Sequence, residues 1–324
     1  MISRRDLLLA SMLAAAAARA QPQTNVPRLG YLWLGPAGSD APAANGLQQG
    51  LKELGYTEGR TVAIQRRYAD GRPDRLPGLI KDLLAMPVDI VLCAGAAVAR
   101  AVKNATTTVP VICTTGDPVG AGLVASLAHP GGNITGLTLG SSAQLATKWV
   151  ELLKETVPAL TRAVALYNPT SPFGRTESTA IMNAMRGLGI AGSMVGAASA
   201  DQLNGALAAV ATARPRGLIV ADDPLFVAER QRVVAFAAAQ RLPAVYGLGE
   251  FVDAGGLMSY AASVFDIWRQ VARYADRILK GAKPADMPVE EPTKFELRLN
   301  RKAATALGLA IPHGVLLRAD QVIE

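Results

Sequence analysis

From Arg28 onward, short apolar runs alternate with stretches whose apolar residues recur every three to four positions. The runs predict strands and the stretches predict helices, and their regular alternation predicts parallel sheets covered on both faces. The first series gives strands over 28–34, 61–68, 88–94, 110–115 and 133–139. Helices over 42–54, 73–85, 96–105 and 120–128 fall between them, and Leu47, Leu51 and Leu54 mark the buried face of the first. A second series follows a helix over 142–156. Its strands over 163–167, 191–195, 217–221 and 244–246 alternate with helices over 176–188, 201–213 and 225–240. The two series share this grammar but no sequence motif, which implies duplicated architecture without a sequence repeat. A long helix over 264–280 carries Val264, Ile267, Trp268, Val271, Ala275 and Ile278 at helical spacing, and Gly281 stops it. The Pro-rich 281–292 stretch reads as a connector with one short strand. The tail from Phe295 adds a strand, a helix over 301–307 and an irregular end.

The pattern therefore predicts an α/β chain of two Rossmann-like lobes with parallel sheets. Open parallel sheets bind ligands beyond the C-terminal ends of their strands, so two such lobes facing each other enclose a ligand in an interlobe cleft, and a hinge closes it.

The first twenty residues change the picture by giving the chain an address. Arg4 and Arg5 form a positive segment, Leu7 to Ala18 an apolar one, and Ala18-Arg19-Ala20 a small-x-small cleavage site. The apolar run is too short to span a bilayer, and a polar Gln/Pro segment follows it, so residues 1–20 read as a secretory signal peptide. Ser3-Arg4-Arg5-Asp6-Leu7-Leu8 resembles a twin-arginine signal, although Leu7 stands where such signals prefer Phe; general secretion is the alternative. Either route predicts a periplasmic protein.

Removing residues 1–20 takes away three Arg and one Asp and leaves a net charge of +5. Lys and Arg are scattered and aromatics are few, so no nucleic-acid partner is expected. The roughly 300 remaining residues exceed what one core usually holds, which makes two domains the expectation. Cys93 and Cys113, the only cysteines, fall on predicted neighbouring strands. Buried free thiols are favoured over a bridge there, because regular neighbouring strands rarely give disulfide geometry. With only His129 and His313 besides, no metal site is expected.

Catalytic motifs are missing: there is no G-x-S-x-G, Walker A, early G-x-G-x-x-G or H-E-x-x-H. Both histidines sit beside Gly or Pro and read as solvated loop residues. Asp222-Asp223 and Glu290-Glu291 are adjacent acids, and adjacent strand residues point to opposite faces. No catalytic residue and no cofactor is expected.

What remains is a set of polar loops after predicted strands. Trp33 closes the first strand, where it serves either core or cleft, and Ser39 and Asp40 either cap the next helix or face the cleft. Gly95, Ala96 and Ala97 open a helix whose free N–H groups suit a carboxylate or other anion, or they simply pack a tight turn. Thr115 and Asp117 end the fourth strand. In the second series, Asn168, Ser171 and Asp222 occupy matching positions in segments that also form good turns. Tyr246 is a candidate for stacking on a ligand and Glu250 for pairing with its ammonium.

Longer strings of the chain resemble a known family. Gly50-Leu51-Lys52-Glu53-Leu54-Gly55-Tyr56-Thr57-Glu58-Gly59, Gly116-Asp117-Pro118-Val119-Gly120-Ala121-Gly122-Leu123-Val124 and Pro130-Gly131-Gly132-Asn133-Ile134-Thr135-Gly136 are similar to segments of the tryptophan/tyrosine-type substrate-binding proteins of ABC transporters. So are Glu151-Leu152-Leu153-Lys154-Glu155, Ala254-Gly255-Gly256-Leu257-Met258-Ser259-Tyr260 and the segment from Leu279 to Glu290. The resemblance runs from about Arg28 to Glu324. It implies a type I periplasmic-binding-protein fold with three hinge crossings, the helix after Tyr260 returning to the first lobe. Lobe one is then 27–141 with 261–292, and lobe two 142–260 with 293–324.

The resemblance further implies a monomer that delivers a small-molecule ligand to an inner-membrane permease powered by a separate ATPase. Members binding aromatic amino acids commonly show a Thr-Pro-Ala-Ala-like turn and an Asp-Asn pair where this chain has Gly95-Ala96-Ala97 and Asp222-Asp223-Pro224. Those departures remove a hydroxyl and an amide, and leave the implied ligand as an amino acid or an aromatic or organic carboxylate. Rival readings are a sensor presenting its ligand to a membrane receptor, and a periplasmic enzyme. A regulator's effector lobe would need a DNA-binding helix pair before Arg28, where an export signal stands instead.

Overall fold

The structure is a computed structural model that describes residues 26–140, 142–171 and 174–324. The export signal and twin-arginine readings lie outside the described residues. Five parallel strands, β1 (Arg28–Trp33), β2 (Ala63–Tyr68), β3 (Ile90–Ala94), β4 (Val111–Thr115) and β5 (Ile134–Thr138), form one sheet in the order β2-β1-β3-β4-β5. Every residue of β4 and β5 is buried, as expected of strands covered on both faces. Helices α1 (Ala41–Glu53), α2 (Leu76–Leu84) and α3 (Ala96–Ala105) connect the first four strands.

The second sheet repeats this plan and extends it. β6 (Arg162–Tyr167), β7 (Ala191–Gly196), β8 (Leu218–Val220), β9 (Ala244–Tyr246) and β10 (Met258–Ala262) pair in parallel in the order β7-β6-β8-β9-β10. β11 (Phe295–Asn300) then joins β10 antiparallel, and β12 (Gln321–Ile323) pairs in parallel with β11. The connecting helices are α4 (Ser142–Thr156), α5 (Gly174–Gly187), α6 (Ala200–Ala213), α7 (Pro224–Ala228), α8 (Arg230–Ala239) and α9 (Glu250–Asp253). Trp149 on α4 is fully buried and donates its indole N–H to the Tyr260 carbonyl at 2.6 Å, fixing α4 against β10.

After β10 the chain leaves this sheet. Ser263 accepts the Asp266 backbone N–H at 3.2 Å and so caps α10 (Val264–Leu279). The apolar face of α10, centred on Ile267, Trp268, Val271 and Ala275, joins the core of the first sheet with Tyr31, Leu47, Ile90 and Ile112. Its axis lies close to α1 because α1 carries Gly46 and Gly50 one turn apart. A Cβ at Gly46 would stand 2.2 Å from the Phe265 carbonyl oxygen, and one at Gly50 2.4 Å from that of Arg269. The connector after α10 is pinned to the first sheet by Thr135 Oγ1 donating to the Met287 carbonyl at 2.6 Å and Tyr274 OH to that of Pro288 at 2.6 Å. It contributes a single bridge, Glu290 beside Leu137, before β11.

Four expectations are corrected. The 120–128 segment is a series of turns: Gly122 takes φ +66° and the Asp117 carboxylate accepts the Gly120 N–H at 2.7 Å, while Leu123 and Val124 are still buried. The 225–240 helix is two helices broken at Glu229. The end after α11 (Arg301–Ala306), expected to be irregular, contains α12 (His313–Leu316) and β12. β10, a strand in its own right, follows a Gly-rich stretch that masked its signal. Cys93 and Cys113 are register partners on β3 and β4, both buried and both free thiols. Hydrogen bonding to Cys93, together with burial, raises the Cys113 thiol pKa well above its ordinary value and keeps it protonated.

Replacing Gly50 with Val puts a branched side chain against the α10 backbone. Urea unfolding of the variant is expected to show a loss of about 1–3 kcal/mol, whereas Gly55→Val, where a Cβ meets nothing within 4 Å, costs only what its positive φ imposes. Equal stability of Gly50→Val and the parent protein would contradict the close crossing.

Candidate functional site

Beyond the C-terminal strand ends of the two sheets lies a cavity of about 470 Å³, a size suited to a small organic solute. Each sheet contributes the residues that follow its strands, as open parallel sheets do. Leu34 follows β1, residues 94–98 span the end of β3 and the start of α3, Thr115 and Gly116 close β4, and Leu139 and Gly140 follow β5. From the other side come Leu145 of α4, Asn168, Thr170 and Ser171 after β6, Glu177 of α5, and Asp222, Asp223 and Leu225 after β8.

The two rims have opposite polarity. On the first, α3 begins at Gly95 with no side-chain cap, so its leading N–H groups and the positive end of its dipole meet the cavity. On the second stand three carboxyl groups, and among the described residues lining the cavity there is no Lys, Arg or His. Asp223 caps α7, with one oxygen accepting the Leu225 N–H at 2.9 Å and the Asn168 amide at 3.2 Å. Asn168 is oriented in turn by accepting the Thr170 backbone N–H at 3.0 Å and its hydroxyl at 2.7 Å. Burial, reinforced by the charges of Glu250 and Asp223, pushes Asp222 up to about 7. Glu177, only 3% exposed, is pushed up to about 9 by burial and then by Asp222 and Asp223, against a hydrogen bond from the Asp222 backbone. Leu34, Leu139, Leu145 and Leu225 supply the apolar wall.

Residues 38–323 match the family model described as ABC transporter substrate binding protein. The chain belongs to this family. A tyrosine-binding protein of Clostridioides difficile is 24% identical over 268 residues, which are 82% of this chain and 76% of that protein. The ABC domain from Streptococcus pneumonia in complex with L-Trp superposes with a TM-score of 0.82 at 28% identity, covering 92% of this chain and 99% of that one. A conserved domain protein from Vibrio cholerae gives the same TM-score at 26% identity, over 92% and 100% of the two chains.

In this substrate-binding protein, seven of the residues singled out from sequence line one cavity: Gly95, Ala96, Ala97, Thr115, Asn168, Ser171 and Asp222. Glu250 borders a smaller neighbouring pocket and acts on Asp222 through its charge. The others do not line the cavity. Trp33 stacks on Tyr31 at 6.2 Å and donates its indole N–H to Ser39 Oγ at 3.1 Å, and the Ser39 hydroxyl donates to the Pro36 carbonyl. Asp40 neither caps α1 with its side chain nor reaches the cavity; it is buried, accepting the Tyr68 hydroxyl and the Gly38 N–H at 3.1 Å each. Asp117 holds its own turn. Tyr246 is 1% exposed and stacks on Phe251 at 4.7 Å, so it is core.

The reasoning that kept Asp222 and Asp223 on opposite faces also fails, because β8 ends at Val220 and both residues lie in the loop beyond it. Glu177 had no signal in the sequence. An acid in the first turn of a helix reads as a favourable dipole contact, and nothing local distinguishes it from a solvated one. His129 and His313 are exposed, as read.

Raised carboxyl pKa values mean that the folded chain holds protons the unfolded chain releases. The stability these two groups contribute is fully present below the ordinary carboxylate range and is lost as pH rises through about 7 for Asp222 and about 9 for Glu177. Thermal melting of ligand-free protein is expected to fall from pH 5 to pH 9, and Glu177→Gln to flatten the alkaline part of that fall. Parallel profiles for the two proteins would contradict the assignment.

Proposed function

We propose that this chain is the exported solute receptor of an ABC importer and that it captures a small solute carrying an ammonium group and an apolar body, an amino acid foremost. The observation that carries the reading is the opposite polarity of the two rims. Helix N–H groups at Ala96 and Ala97 suit a carboxylate, and Asp222 with Asp223 suits an ammonium, with leucines between them for the side chain. The L-Trp complex and the tyrosine-binding relative support an amino acid of this size. Three carboxyl groups, with no cation among the described lining residues, disfavour a solute that is only anionic.

On this reading, the lobes are 27–141 with 261–292 and 142–260 with 293–324, and the three passages between them serve as the hinge. Residues 1–20 direct export to the periplasm, by the twin-arginine route in preference to general secretion. No helix among the described residues is long and apolar enough to cross a membrane. Membership of the substrate-binding family supports delivery to a separate permease, which a distinct ATPase drives. On the same reading the receptor works as a monomer and releases its solute unchanged.

Isothermal titration of protein freed of retained solute, against the common L-amino acids and their amines, tests this directly. At least one amine-bearing solute is expected to bind, and Asp222→Asn to weaken it by about 100-fold, the loss typical of unpairing a buried charge. Absence of binding across the panel, or binding untouched by Asp222→Asn, contradicts the reading.

A further inference from the structure

Glu177 plays no part in the ammonium site as described, yet its carboxyl lines the same cavity as those of Asp222 and Asp223. The three groups are not equivalent. Asp223 is committed to the Leu225 N–H and the Asn168 amide. Among the described residues, neither a hydrogen bond nor a counter-charge acts on the Asp222 carboxyl. Glu177 is buried and still lines the cavity.

The charges facing Glu177 are those of Asp222 and Asp223, and Glu250 of α9 faces Asp222 in turn. Helix α4, which packs along α5, presents Leu145 to the cavity, and α3 on the far rim presents Ala96, Ala97 and Val98. No described side chain therefore neutralises the pair. A primary ammonium brings three N–H donors and the missing charge.

Resting on the ammonium reading above, we propose that Glu177 is a specificity residue. With Asp222 it forms a two-carboxyl receptor for a primary ammonium, and one proton leaves this pair for the solvent when the ammonium binds. The balance is simple: a pair sharing a proton becomes two carboxylates around one –NH3+, and the proton passes to buffer without any bond to the solute forming or breaking. A nitrogen that is acylated is uncharged and keeps one N–H donor of the three, so such solutes are rejected. The upward shifts of both groups fit a pair that is protonated while empty, and an adjacent cation reverses them.

The test uses the full mature chain at pH 7 and the tightest binder among L-tryptophan, L-tyrosine, L-leucine and tryptamine, titrated calorimetrically in phosphate and in Tris. The expected result is a buffer-dependent heat equal to release of about one proton per solute bound. The N-acetyl counterpart of the binder is expected to bind at least about 100-fold more weakly. Glu177→Gln, checked for folding by thermal melting, should still bind but release less than about half as many protons. Equal heats in the two buffers for the unmodified protein overturn the proposal without any variant, as does unchanged release in Glu177→Gln. If none of the four probes binds, the ammonium reading fails and takes the proposal with it.

Discussion

The contact on which the architecture turns is the crossing of α1 and α10, where Gly46 and Gly50 let the α10 backbone approach α1 closely. α10 follows a strand of the second sheet but buries Trp268 and Val271 in the core of the first. That burial obliges the chain to pass between the sheets after β5, after β10 and again before β11. With these passages set, the C-terminal ends of both sheets border a common cavity. A bulkier residue at either glycine would act far from the site and still disturb it.

Within that cavity, the described residues gather carboxyl groups without a counter-charge. Ionised carboxylates removed from water are costly unless paired, and among the described lining residues the polar partners of Glu177, Asp222 and Asp223 are amides, hydroxyls and helix N–H groups beside an apolar wall. An empty cleft relieves this cost by protonation, and a cationic solute relieves it by pairing. On the proposed reading, the interaction that strains the empty receptor is thus the one that rewards the correct solute.

Much of the fold was legible because its strands are covered on both faces and read as apolar runs, as with Ile90–Ala94 and the Val-Ile-Cys start of Val111–Thr115. Legibility failed where local chemistry and tertiary packing diverge. Leu123 and Val124 are buried but lie in turns, since Gly122 at positive φ breaks the helix. The site was half legible. The rule that ligands lie beyond strand C-termini located Gly95, Thr115, Asn168 and Asp222, but it does not say which way a terminal side chain turns. Tyr246 ends β9 and points inward onto Phe251, and Asp40 is claimed by Tyr68. Glu177 was invisible because its importance comes from a neighbour 45 positions away in the chain.

The most direct measurement is a crystal structure of the mature protein with the solute it retains from its native compartment. The account predicts a primary nitrogen within hydrogen-bond reach of both Asp222 and Glu177, with any carboxylate of the solute on the Ala96 and Ala97 N–H groups. A solute without a charged nitrogen in this cavity, or a nitrogen turned away from both carboxyls, would contradict it.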